Sequence, residues 1–161
     1  MIKYIITGAM IFTLYVLFSG SLSLYTLITG LLVSFGLSLV SAKYLIVNEK
    51  KLTEVDRFLA LIYYFFKYMT IIEIKAHIDV VKRIISMDIK PGIVKIPVKS
   101  KTRYARLLIM GSITNTPGTI VVDERDGYFY VNWINTLTDE PEEAWRLISS
   151  EFEKYAIKVF E

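Results

Sequence analysis

The sequence predicts a membrane protein with an N-terminal transmembrane helical hairpin, an amphipathic helix and a small cytoplasmic α+β domain of order β-α-β-β-α. Residues 1–42 carry a single charge, on Lys3, whereas the other 18 basic and 16 acidic residues lie between Lys43 and Glu161. Two apolar runs in the first segment are about long enough to cross a bilayer. After Pro91 the hydrophobic period changes from helical to alternating. We therefore divide the chain into residues 1–42, 43–89 and 90–161.

The first two elements are predicted to be a helical hairpin. Residues 2–18 are apolar apart from Lys3 and two threonines, and such a run rises about 25 Å as a helix, near the lower limit for a span. Ser19-Gly20-Ser21 interrupts the pattern, and residues 22–42 form a second uncharged run. Lys3, the apolar core and the small residues around Gly20 are also typical of a signal peptide. We favour the hairpin, because the second run follows immediately and would itself stay in the membrane.

Small residues in the second run allow another helix to approach closely. They are Gly30, Ser34, Gly36, Ser38 and Ser41. Ordinary use of glycine and serine in membrane helices explains each one singly equally well. We retain Gly30 and Gly36 as candidate contact positions.

Charge after the hairpin predicts its orientation. Lys43, Lys50, Lys51 and Arg57 outnumber Lys3 and the uncharged turn at residues 19–21, which favours a cytoplasmic location for both ends of the hairpin. Between residues 82 and 106, eight basic residues face one acid, a balance suited to anionic lipid headgroups. A merely solvated basic surface is the alternative. Nucleic acid is disfavoured, because aromatic residues do not alternate with the basic ones.

The third apolar stretch, residues 58–72, predicts a long amphipathic helix that continues to Arg83. At 100° per residue, most of its charged side chains fall on one half of the helix, whereas Glu73 and His77 lie on the other. This pattern favours a helix in the membrane interface over a third span. A third span stays open, although it would put the basic segment on the side that the charge bias disfavours.

The remaining residues predict a two-layer domain. Residues 94–98 alternate as a strand that Pro97 confines to an edge or an end, and residues 101–115 predict a helix. Residues 119–123 and 128–134 are strand-like around Asp126-Gly127, a strong hairpin signal. We expect the first of these helices to bury Tyr104, Leu107, Leu108 and Gly111. We expect Asp139 to cap the last helix, whose predicted buried stripe is Trp145, Ile148, Phe152, Tyr155 and Val159.

The sequence predicts no catalytic, cofactor or metal site. There are no cysteines and one histidine, and the hairpin offers a proton no ionisable group beyond Lys3. Glu73 and His77, four residues apart, could shuttle a proton or contact a neighbouring subunit, but we favour a surface ion pair. Asp123, Glu124 and Asp126 cluster at a turn tip, where carboxylates are ordinarily solvated. Residues 116–119 lack the glycines and lysine of a phosphate loop.

The order of these parts resembles the E subunit of the Mrp-type (Mnh) multisubunit cation/proton antiporters over nearly the whole chain. The segments that carry the resemblance are Ala76-His77-Ile78-Asp79-Val80-Val81, Lys90-Pro91-Gly92-Ile93, Ser112-Ile113-Thr114-Asn115-Thr116-Pro117-Gly118-Thr119 and Tyr130-Val131-Asn132-Trp133-Ile134. The most specific is the Ile-Thr-x-Thr-Pro-Gly-Thr run. The same subunit type recurs in the antiporter-like arm of archaeal membrane-bound hydrogenases and related ferredoxin-linked complexes.

The resemblance implies a non-catalytic accessory subunit, without a cofactor, in the cell membrane among other membrane subunits. Gly30, Gly36, Glu73, His77 and Asp79 are then possible subunit contacts. The residues that would mark the domain are Thr114, Thr116, Pro117, Gly118, Thr119 and Trp133. The family usually has an asparagine-like residue at position 77 and commonly a histidine at position 132, where this chain has Asn132. The second departure argues against a titrating role for that strand.

Three functions follow as hypotheses. The first is a structural subunit of an antiporter, or of the related arm of a hydrogenase-type or ferredoxin-linked complex. The second is a free-standing, membrane-tethered binding module. The third and weakest is an enzyme that uses the carboxylates between Asp123 and Asp126.

Overall fold

Two apolar helices form the first of two structural units, Met1–Glu54 and Val55–Glu161. The structure is a computed structural model that describes residues 1–46, 48–49, 51 and 54–161. Lys50, one of the basic residues that predict the orientation of the hairpin, lies outside the described residues.

The first unit confirms the pair of apolar helices. Helix α1 spans Ile2–Ser19 and ends at Gly20, whose φ of 61° is left-handed and suits a residue without a side chain. Helix α2 spans Leu24–Leu45, and the Ser23 side chain caps it by accepting a hydrogen bond from the Thr26 amide. Among the described residues, these two helices are long and apolar enough to cross a membrane.

Small side chains pack α1 against α2. The buried residues of α2 recur every fourth position and therefore share one face: Thr26, Gly30, Ser34, Ser38 and Ala42. The Tyr15 hydroxyl on α1 lies 3.1 Å from the Thr29 hydroxyl on α2. Beyond the hairpin, the Glu49 carboxylate lies 3.5 Å from the Met1 amine and 3.6 Å from Lys3 Nζ. The start of α1 and the segment after α2 are thus at the same end of the hairpin.

The second unit contains a three-stranded antiparallel sheet in the order β1-β3-β2. Strand β1 is Gly92–Pro97, β2 is Thr119–Arg125 and β3 is Tyr128–Trp133. Pro97 ends an edge strand, as its missing amide requires. Asp126 and Gly127 have φ values of 53° and 78°, the left-handed pair that a tight two-residue hairpin needs, so the predicted turn is confirmed.

The second unit also contains helical segments. They are α3 (Val55–Lys67), a π-helical turn (Tyr68–Ile72), α4 (Glu73–Ser86), α5 (Arg103–Asn115), α6 (Pro141–Ile148) and α7 (Ser150–Phe160). The core combines Val94, Ile96, Phe129 and Val131 of the sheet with apolar residues of α5, α6 and α7. Tyr64 of α3 and Tyr68 of the π-helical turn belong to the same core. The continuous segment from α3 to α4, called the third helix below, therefore packs through these two residues into the domain that follows it. The antiparallel sheet with helices confirms the predicted α+β element order.

Three details of the predicted domain are wrong. Helix α5 buries Ala105, Ile109 and Ile113, while Tyr104 and Leu107 are exposed, because the face toward the sheet lies one position further along. Asp139 does not cap the last helix. That helix starts at Pro141, and the Thr138 hydroxyl instead donates to Glu143 Oε2 at 2.7 Å.

The predicted last helix is also two helices. The backbone leaves the helical region at Ser149, which has φ −120° and ψ −16°. The predicted stripe nevertheless faces inward on both parts, since Ile148, Phe152 and Val159 are buried and Trp145 and Tyr155 are half-buried. The sequence has neither Pro nor Gly at the break. Because the 3-4-3-4 spacing of the apolar residues also continues across Ser149, the pattern predicts one helix.

Candidate functional site

Glu73 and His77 lie one turn apart on α4. The Glu73 side chain is 13% exposed and that of His77 is 65% exposed. The Nδ1–H of His77 donates a hydrogen bond of 2.8 Å to the Glu73 carbonyl oxygen, and Nδ1 lies 3.6 Å from Glu73 Oε2. In this tautomer Nε2 carries no hydrogen and can accept a hydrogen bond. Glu73 Oε1 is buried and has no hydrogen-bond partner among the described residues.

Asp79 forms a two-point ion pair with Arg83, one turn later on α4. The Arg83 Nε and Nη2 atoms donate to Asp79 Oδ2 and Oδ1 at 2.7 and 3.1 Å. Paired carboxylate and guanidinium groups on an exposed helix add only a few tenths of a kcal/mol to its stability. Asp79 is therefore compensated on its own helix.

Gly30 and Gly36 differ in surroundings. A Cβ at Gly30 would lie 2.8 Å from Tyr15 Cδ1 and 3.2 Å from Phe12 Cε2. The aromatic rings of α1 thus fill the space that a side chain at Gly30 would need. A Cβ at Gly36 would meet no atom of the described residues within 4 Å, so Gly36 leaves an open notch on the hairpin surface.

A hydrogen-bonded network between the third helix and α5 was not predicted from the sequence. The Tyr64 hydroxyl bonds to the Ser112 hydroxyl. The Tyr68 hydroxyl donates to the Ser112 carbonyl oxygen at 3.2 Å and lies 3.2 Å from the Thr116 hydroxyl. The Asn115 amide donates to Tyr68 at 3.1 Å. Two tyrosines four residues apart in an apolar run are the signal that could have indicated such a buried polar contact.

Tyrosine is neutral at physiological pH, and burial raises the pKa of both of these tyrosines further. Burial raises the pKa of Tyr64 to about 12, while the hydrogen bond with Ser112 acts in the opposite direction. Burial also raises the pKa of Tyr68, and the nearby Glu73 carboxylate adds to that increase. Across the described ranges, no group of three or more His, Asp or Glu side chains is placed to hold a metal ion. The network is therefore a set of neutral hydrogen bonds rather than a titrating site.

The turn between α5 and β2 holds the residues of the Ile-Thr-x-Thr-Pro-Gly-Thr run. The Thr119 hydroxyl donates to the Ile113 carbonyl oxygen at 2.8 Å, and Thr114 Oγ1 accepts from the Val121 amide at 3.3 Å. Gly118 has φ 94°, and a Cβ there would lie 3.0 Å from Ile134 Cγ2 and 3.4 Å from Val80 Cγ2. These residues close the turn and bring α4 against it.

Other residues of that run, and the strand that follows, also serve the fold. The Thr116 hydroxyl donates to the Ser112 carbonyl oxygen at 2.7 Å, and Pro117 lies in the turn itself. Trp133 of β3 pairs with Gly92 and Thr119 and packs against the core. The motif therefore specifies a backbone shape.

The carboxylates at the β2–β3 turn lie on the surface. Asp123 pairs with Arg125 at 3.0 Å, and Glu124 pairs with Arg106 at 2.8 Å. Asp126 is exposed in the turn. The arrangement is that of solvated turn residues.

Two sequence comparisons identify the same type of protein. The family model MNHE, described as a Na⁺/H⁺ ion antiporter subunit, matches residues 8–159. The chain is similar to the E subunit of the Na(+)/H(+) antiporter of Alkalihalophilus pseudofirmus, with 38% identity over 103 residues. That match covers 62% of this chain and 61% of the relative, so the chain spans about three fifths of the length of the curated relative.

A solved structure resembles the whole chain. It is a chain of the membrane-bound sulfane sulfur reductase, an archaeal respiratory membrane complex. The TM-score is 0.83 at 26% sequence identity, and the match covers 98% of this chain and 99% of the other.

Proposed function

Since the chain belongs to the family of Na⁺/H⁺ ion antiporter subunits, whose model matches residues 8–159, we propose that it is an accessory subunit of a multisubunit cation/proton antiporter module. The observation that carries the proposal is this match over nearly the whole length. The similar antiporter chain of Alkalihalophilus pseudofirmus and the full-length likeness to a chain of a membrane complex support it. The family is a non-catalytic subunit type, and we propose that this chain likewise supports assembly while partner subunits perform the exchange.

The chain is a membrane protein, and we propose a topology for it. Helices α1 and α2 both cross the bilayer, residues 43–89 form a linker and an interfacial helix, and residues 90–161 are cytoplasmic. The proximity of Met1 and Lys3 to Glu49 supports this topology, because it brings both ends of the hairpin to one side. The basic residues after α2 favour the cytoplasm for that side.

We propose that partner subunits contact the open notch at Gly36 and the exposed part of α4. His77 offers an exposed imidazole ring. Glu73 would act through His77, because its carbonyl oxygen holds the Nδ1 side of that ring. Asp79 would present its ion pair with Arg83 to a partner subunit. Gly30 would act indirectly, because it lets α1 pack closely against α2.

A second assembly is supported by the structural likeness. The matching chain belongs to an archaeal respiratory membrane complex, so the antiporter-like arm of a hydrogenase-type or ferredoxin-linked complex is the alternative setting. The role of the chain would be the same in both assemblies, because it follows from the fold and not from the partners' chemistry.

Affinity purification from gently solubilised membranes tests the proposal. The tagged full chain should elute with several larger membrane proteins and migrate with them on a native gel. Elution of the chain alone, at 18.6 kDa plus detergent, would instead favour the free-standing binding module. Loss of cation/proton exchange on deletion of the gene, restored by the wild-type chain, completes the test.

A further inference from the structure

An apolar groove runs between the third helix and α5 in the second unit. Its volume is about 720 Å³, within the roughly 300–1,000 Å³ range of small-molecule sites. The walls are apolar side chains and a glycine, chiefly Leu61, Phe65, Met69, Tyr104, Leu107 and Gly111. Phe65, Phe66 and Leu107 are each more than half exposed. A surface this apolar is typical of a ligand groove or a membrane contact.

A basic pocket adjoins one end of the groove. It is lined by Lys101, Arg103 and Arg106 together with Glu124, and Tyr104 and Leu107 line both the pocket and the groove. The apolar and cationic surfaces are therefore continuous.

The basic pocket keeps an excess of positive charge. Glu124 is paired with Arg106, and the Glu161 side chain accepts hydrogen bonds from the amides of Lys101 and Thr102. Within Val55–Glu161, all of which the structure describes, neither Lys101 Nζ nor the Arg103 guanidinium is paired with a carboxylate. An anionic group next to the apolar groove would complement both.

We propose that this groove binds one anionic phospholipid, with an acyl chain against α3 and α5 and the phosphate headgroup at Lys101 and Arg103. An apolar tail joined to a compact anion matches the two continuous surfaces. A partner helix with a purely apolar face matches less well, since it would leave Lys101 and Arg103 without an anionic partner. The inference does not rest on the antiporter assignment.

Gly111 allows the groove to be filled without disturbing the fold. A Cβ at Gly111 meets no atom of the described residues within 4 Å, and replacing glycine inside a helix favours the helix. Gly111→Trp should occupy the groove, and Gly111→Leu is a smaller second variant. Leu147→Trp adds an indole at an exposed position of α6 outside the groove and serves as the control.

The test measures lipid binding to the full chain in neutral detergent by native mass spectrometry. The probes are phosphatidylglycerol and phosphatidylcholine with identical acyl chains. We expect one bound phosphatidylglycerol, preferred over phosphatidylcholine by roughly thirtyfold, since each of the two basic residues at the headgroup contributes about 1 kcal/mol. Gly111→Trp and Gly111→Leu should lower the binding of both lipids, and Leu147→Trp should not.

Charge variants test the headgroup site separately. Lys101→Gln with Arg103→Gln should abolish the preference for phosphatidylglycerol, whereas removing two exposed charges of α7 by Lys154→Gln with Lys158→Gln should preserve it. Equal binding of the two lipids by the wild-type chain would overturn the proposal. So would Gly111 variants that keep the lipid but lose co-purifying membrane subunits, because that result identifies the groove as a protein contact.

Discussion

The indole Nε1 of Trp145 donates a hydrogen bond of 2.6 Å to Oε2 of Glu153, a carboxylate only 2% exposed. The other oxygen of Glu153 accepts from the amides of Lys99 and Ser100, both at 2.7 Å. One buried carboxylate thus ties together α6, α7 and the segment after β1. Each of its oxygens has a partner, as a buried charge requires.

Glu153→Gln should destabilise the second unit. If the amide oxygen keeps the two backbone bonds, the amide N–H groups face the Trp145 N–H and leave a donor unpaired, at a cost of about 1–3 kcal/mol. The unfolding temperature of the full chain in detergent should fall by roughly 5–15 °C. Glu142→Gln, which removes only the exposed pair with Lys99, is the control and should shift it far less. Equal shifts for both variants would refute the structural role of Glu153.

Leucine at Gly30 should loosen the hairpin, whereas leucine at Gly36 should not. The Gly30 Cβ would press on Tyr15, and overpacking of this kind costs about 1–3 kcal/mol. In the purified chain, Gly30→Leu should therefore lower the unfolding temperature and Gly36→Leu should leave it unchanged. In membranes, Gly36→Leu should reduce co-purification of partner subunits. Normal co-purification would remove Gly36 from the proposed contact surface.

Alanine should be costly at Gly118 and harmless at Gly111. At Gly118 the φ of 94° strains a side chain, and the new methyl group would lie 3.0 Å from Ile134. Strain of this kind costs about 1–3 kcal/mol. Gly111→Ala lies in an open part of α5 and should stabilise by about 0.5–1 kcal/mol. Denaturant unfolding of the full chain measures both, and comparable losses would contradict the assigned backbone requirement.

The third helix gives a pH-dependent prediction. The pKa of Tyr64 is raised to about 12 in the folded chain and lies near 10 in the unfolded one. Between these values the folded state retains a proton that the unfolded state has lost, so stability falls as pH rises from about 10 to 12. The loss due to Tyr64 is roughly 2–3 kcal/mol, and Tyr64→Phe should remove that part and leave the part due to Tyr68. The same substitution at the exposed Tyr63 should retain the full loss, and an unchanged pH profile in Tyr64→Phe would contradict the burial of this hydroxyl.

Features fixed by local chemistry were predictable from the sequence. The apolar hairpin follows from the distribution of charge, the Asp126-Gly127 turn from its residues, and the edge position of Pro97 from its missing amide. The inward face of α5 was not predictable, since apolar side chains line both of its sides and only the neighbouring elements decide which side meets the sheet.

Features that depend on distant partners were missed. The break at Ser149 carries no Pro or Gly signal, and the role of Glu153 depends on amides more than fifty residues away. Similarly, the packing of Tyr64 and Tyr68 into the core requires α5 and α7 to be in place. Hydropathy indicates the exposed apolar side chains of the third helix, which suit a membrane interface, and does not indicate the two tyrosines that pack into the core.

Reconstitution of the purified chain by itself tests most directly whether it supports an exchanger without being one. The chain is placed in sealed vesicles with a pH-sensitive dye, and vesicles that contain the complete assembly serve as the positive control. An imposed sodium or potassium gradient should change the internal pH in the control and leave it constant with the chain alone. A cation-driven pH change with the chain alone would contradict the account.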